Sequence, residues 1–152
     1  MSGTLGRGAL GFIAAALSVL IFHEAIVYLL NMQGMVPRKG WTMTPGVQPF
    51  GVPYLANLVF WGGLWGILFA YVHRVVPGGM MWLKGLIYGL VLVLIVGAWI
   101  LVPLIKGQVL GMPNQVFFGA FNPQRMLNGA LIVGGWGLGL GIIYGLIARE
   151  RA

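Results

Sequence analysis

Glu24 and His23 stand side by side inside an otherwise apolar run, residues 8–30, and no other neighbours in this chain are better suited to acid–base or ligand chemistry. Glu24 is one of two acidic residues among 152; the other, Glu150, lies two positions from the C-terminus, and there is no Asp. A carboxylate within a bilayer is unfavourable unless it is protonated, paired or wetted, so a chain this sparing with acids has a physical reason to keep one there. A proton-linked group, an anchor for a ligand and a single buried bond that fixes helix register are the three uses open to it.

Several chemistries lack their residues. The zinc-protease helix needs a second histidine four positions after the first, and position 27 is Val. A hydrolytic triad has no Asp and no second usable carboxylate. A metal site would have His23 and Glu24 and little else, short of the three or more protein ligands that zinc and di-iron sites use. His73, in Tyr71-Val-His-Arg74, is expected at the opposite membrane face from His23, too far for both to ligate one haem iron. With no cysteine, disulfides and catalytic thiols are excluded. The glycines of 134–141 lie in an apolar helix without the Lys-Ser or Lys-Thr of a phosphate loop.

The elements that must position Glu24 are membrane helices. A hydrophobic share of 59%, a charged share of 7% and a mean hydropathy of +0.93 lie outside the range of soluble domains. Four apolar segments, about 8–30, 53–75, 80–105 and 126–148, are long enough to cross roughly 30 Å of hydrocarbon. The expected fold is all-α: one transmembrane domain, residues 1–152, with four helices in a bundle. The first segment is too long for a secretory signal and lacks a small-x-small cleavage site, so it reads as a retained helix.

A net charge of +7 without a basic run points to interfacial anchoring and not to nucleic acid. With four spans, Arg7, Arg74, Lys84, Arg149 and Arg151 fall on one side and Arg38, Lys39, Lys106 and Arg125 on the other. That small excess and the short basic connection 76–79 favour both termini in the cytoplasm, in a bacterial inner membrane.

The two halves resemble each other. Each has a long apolar helix, a long Pro/Gly/Met/aromatic loop, and a helix with an Asn (Asn57, Asn128) ahead of a Gly-Gly and Trp cluster. The offset, a little over seventy residues, drifts between landmarks; a true 2+2 repeat would run in parallel orientation. The expected packing positions are Gly62 and Gly66, Gly85 and Gly89, and Gly137, Gly141 and Gly145, because helices in hydrocarbon associate by close backbone approach at small residues. The fourth helix carries more of them than one neighbour needs, which makes it the candidate seam for self-association or another membrane protein.

Both long loops, 31–52 and 107–125, emerge on one side. Glu24 is expected roughly 9 Å below that edge, from the rise per residue of a helix. Asn57, Asn128 and Lys106 are expected at similar depth, so each helix contributes to one polar layer. The candidate site is Glu24 and His23, with Asn57 and Asn128 as hydrogen-bond partners, Tyr28 one turn along, Trp99 as an apolar wall and Lys106 at the layer's edge. Arg38, Trp41, Phe117 and Arg125 form its rim, any of the nearby cations being a countercharge. Apolar walls with a few convergent polar groups suit a membrane lipid or a quinone; the sequence calls for no dedicated cofactor. The expected function is that of an integral membrane accessory or structural subunit of a larger complex, with no self-contained catalysis. The alternative is an oligomeric proton-coupled or small-solute transporter or channel.

Overall fold

The computed structural model describes residues 3–148. Arg149, Glu150 and Arg151, which the sequence alone places by position, lie outside the described residues. The described chain is all-helical, its only extended pairing being an isolated antiparallel bridge between Val47 and Val52. Four helices are long and apolar enough to cross a membrane: α1 (Thr4–Met32), α2 (Tyr54–Val72), α3 (Met81–Val109) and α4 (Pro123–Ile147).

The boundaries follow local chemistry. α4 starts three residues earlier than the hydropathy pattern indicates, because Asn122 caps it by accepting the Arg125 amide at 3.1 Å while Pro123 supplies the fixed φ of the first turn. α3 continues to Val109, past both Pro103 and the expected end at Ile105. Much of α3 has the wider π pattern, over Gly89–Leu101 and again over Ile105–Val109, and α1 has a π turn at Val19–His23. π turns are uncommon in helices and occur often at functional sites.

Two glycine seams pair the helices. Between α1 and α2, a Cβ added at Gly11 would stand 2.8 Å from the Ala70 Cβ, and one at Gly66 would run into the Gly11 carbonyl. Ala15 and Ala70 complete that seam and are fully buried. Between α3 and α4, Gly85 and Gly89 lie against Gly137, Gly85 also meets Gly141, and Gly145 lies against Met81. Backbones approach this closely only where side chains are absent, and in lipid the resulting dispersion contacts drive association.

The expectation of a free seam on α4 is corrected by the same contacts. Its first stripe (Gly137, Gly141, Gly145) is occupied by α3, and its second by α1, with Gly135 against Ile26 and Gly139 against Phe22 and Ser18. α4 thus uses both stripes within the chain. Hydrogen bonds to helix carbonyls reinforce the contacts: Ser18 Oγ donates to Trp136 O at 2.6 Å, Trp136 Nε1 to Ala15 O at 3.2 Å, and Tyr88 Oη to Trp65 O at 2.7 Å. Gly62 faces Val19 and Trp136.

A β-branched side chain at Gly66 is expected to destabilise the fold by about 2 kcal/mol or more, since the obstacle is backbone. Thermal unfolding of Gly66→Val in detergent checks this, against Gly79→Ala, where a Cβ would meet nothing within 4 Å and stability should be unchanged.

Candidate functional site

The Glu24 carboxylate is fully buried and saturated with donors. Arg38 binds it with both guanidinium arms, Nη1 to Oε2 at 2.8 Å and Nη2 to Oε1 at 2.9 Å. The Trp41 backbone amide donates to Oε2 at 2.6 Å, and His23 Nδ1 lies 2.8 Å from Oε1. A carboxylate facing a guanidinium and an amide N–H is an acceptor at both oxygens, so His23 supplies its Nδ1 proton.

Sequence spacing sets His23 and Glu24 about 100° apart around α1, yet their side chains meet where the π turn Val19–His23 ends. The same turn presents the Leu20 carbonyl, which accepts the Trp41 indole N–H at 2.8 Å. The loop following α1 therefore bonds to this helix at two levels.

The rest of the loop is held by similar means. Asn31 Nδ2 donates to Val36 O at 2.9 Å and Pro37 O at 3.3 Å, turning the chain back at the end of α1. Gly40 lets the turn of the loop pass close to the helix: a Cβ there would stand 2.8 Å from Glu24 O and 3.1 Å from Tyr28 Cβ. Trp41 takes a left-handed backbone conformation (φ 56°), unfavourable for a bulky side chain and retained only where surrounding bonds fix it. Here those bonds are its amide to Glu24 and its indole to Leu20. Arg38 also lies 4.7 Å over the Tyr54 ring, tying the start of α2 to the same cation.

Several expected partners are placed elsewhere. Arg38 is the countercharge. Lys106 and Arg125 are not among the carboxylate's partners, nor are Asn57 and Asn128. Asn128 instead donates to Met35 O at 2.9 Å and accepts from Gln124 at 3.3 Å, joining α4 to the first loop. Tyr28 packs on Trp41, ring centroids 6.0 Å apart, and is half exposed. Trp99 belongs to a second cluster, 5.9 Å from the Phe118 ring and close to Gly129. There Phe118 stacks on Phe121 within a turn whose four residues all have positive φ, while Phe117 is partly exposed. Trp41, placed at the rim by sequence, is central, and Gly40 was missed although a Gly between a basic pair and a Trp was its signal.

His73 lies at the other end of α2, buried between the Phe69 and Tyr144 rings, its Nδ1 within 3.2 Å of Phe69 O and 3.1 Å of Ala70 O. Among the described residues, no three His, Asp or Glu side chains converge in a way that could hold a metal ion.

No protein family matches this chain, and no curated protein or solved structure is significantly similar to it.

Arg38→Gln leaves a buried carboxylate without its cation and is expected to cost about 3 kcal/mol. In a double-mutant cycle with Glu24→Gln, thermal unfolding should give a coupling above about 1 kcal/mol, since the pair is in direct contact. Additive effects would show that the two groups act independently.

Proposed function

We propose that this chain is an integral membrane accessory subunit of a larger membrane protein complex. Its four helices form a bundle, and Glu24 fixes the first loop as a rigid surface at one membrane face. The observation that supports this reading best is the saturation of the Glu24 carboxylate by Arg38, Trp41 and His23. A group that carries protons or cations must exchange partners during each cycle; a carboxylate held by a bidentate guanidinium and a backbone amide is built to stay in place.

The surface presented by the loops is apolar and aromatic. Phe50 is 87% exposed and Phe121 73% exposed, with Trp41 and Phe117 partly so. Held on ordered loops, such side chains suit contact with another integral membrane protein or with the lipid interface. We include in this reading a lipid or quinone contact near Glu24. The membrane is a bacterial inner membrane with both termini on the cytoplasmic side, the reading that the distribution of Lys and Arg favours.

We also read the halves as a parallel duplication. Support comes from the matching roles of Gly11 with Gly66 and of Gly85 with Gly137, and from the π turns in α1 and α3, each in a helix that a long loop follows.

Purification of the tagged chain from its native membrane in mild detergent, followed by mass spectrometry of co-eluting proteins, tests the assignment. Stoichiometric recovery of another membrane complex is the expected result. Recovery of the chain alone or as a homo-oligomer, with Glu24-dependent proton or solute flux in liposomes, would overturn it in favour of a transporter.

A further inference from the structure

His23 has a second ring nitrogen, and the residue borders a cleft. The cleft has a volume of about 120 Å³, is half open, and lies where all four helices contribute, with His23 from α1, Trp61, Gly62 and Trp65 from α2, Val93 from α3 and Trp136 from α4. Its wall is otherwise apolar. α2 and α3 are joined beside it by Tyr88 Oη on Trp65 O and by the Trp65 ring against Gly97, without the close glycine contact of the two seams.

The imidazole is oriented from behind. Its Nδ1 proton is committed to Glu24, whose own charge is balanced by Arg38. With Nδ1–H bonded to the carboxylate, Nε2 of a neutral ring is an acceptor lone pair, and among the described residues no hydrogen bond is made to it. A fixed acceptor in an apolar wall selects a ligand that brings one O–H and little other polarity, because a polar group shielded from water is unfavourable until it is bonded.

Size narrows the class. An apolar protein cavity of roughly 150 Å³ holds one benzene ring. The cleft at about 120 Å³ suits a single six-membered ring, with tryptophan rings at its sides, and its open side gives an attached alkyl tail a way out.

We propose that the cleft binds the ring of a long-tailed phenol or hydroquinone, whose hydroxyl donates a hydrogen bond to His23 Nε2. The proposal deepens the lipid- or quinone-contact reading above and rests on it. It moves the ligand from Glu24, whose carboxylate oxygens have no acceptor position left, to the cleft that His23 lines. A phospholipid acyl chain fills the volume equally well but leaves Nε2 without a donor, so hydroxyl dependence separates the two.

The test uses the purified full-length chain in phosphatidylcholine nanodiscs, with 4-nonylphenol and its methyl ether 4-nonylanisole as probes and tryptophan fluorescence as the readout. Saturable binding of the phenol is expected, five- to tenfold tighter than that of the ether, about the gain from one hydrogen bond. His23→Phe should equalise the two probes, and Val93→Trp, which fills the cleft from α3, should weaken both. Equal affinities in the unmodified chain would overturn the proposal and leave an acyl-chain groove, as would signals that only track partition into the lipid. The comparison of probes needs no variant, so it stands even where a substitution fails to fold. Because no partner complex is present, a negative result here leaves co-purification untouched, and a failed co-purification leaves this binding assay readable.

Discussion

A single ion pair in a low-dielectric setting organises one end of this molecule. Glu24 is buried in a transmembrane helix, and the charge it carries is stable there only because Arg38 reaches it from the loop with both arms. Burial makes the arrangement all or none: removing either partner strands a charge, so the loop has one favourable position. Everything near it inherits that position. Trp41 is held in a strained backbone conformation, Tyr54 at the start of α2 lies under the guanidinium, and the His23 ring is oriented by its bond to the carboxylate.

The helices below are held by a different force. Hydrocarbon offers no hydrophobic drive for helix association, so contact depends on how closely backbones approach. Gly11 with Gly66, and Gly85 with Gly137 and Gly141, provide that approach, and α4 lies against both α1 and α3. The tryptophans of α2 and α4 border the cleft beside His23. Close packing at the seams and open space at the cleft arise from the same alternation of very small and very large residues.

Composition and hydropathy made the four helices and the importance of Glu24 legible, because both are one-dimensional signals: long apolar runs, and a single acid within one of them. Which cation pairs with Glu24 was not legible. Arg38, Lys106 and Arg125 are equivalent by side and approximate depth, and the choice depends on a loop path set by Asn31, Gly40 and the carbonyl of Leu20. The π turn was equally hidden, since no residue type in Val19–His23 demands it, and it ends where His23 meets Glu24. Asn57 and Asn128 show the limit of depth arguments: Asn128 lies in the expected layer's reach but bonds the loop backbone at Met35.

The central claim is that Glu24 latches the loop through Arg38 and the Trp41 amide. Hydrogen–deuterium exchange of that amide in the membrane-embedded protein tests it most directly, because this N–H is bonded to the carboxylate and to no helix or strand ladder. The account predicts slow exchange at Trp41 in the unmodified chain and fast exchange in Arg38→Ala, while amides in the middle of α2 stay protected in both. Fast exchange at Trp41 in the unmodified chain, or slow exchange that survives loss of Arg38, would contradict it.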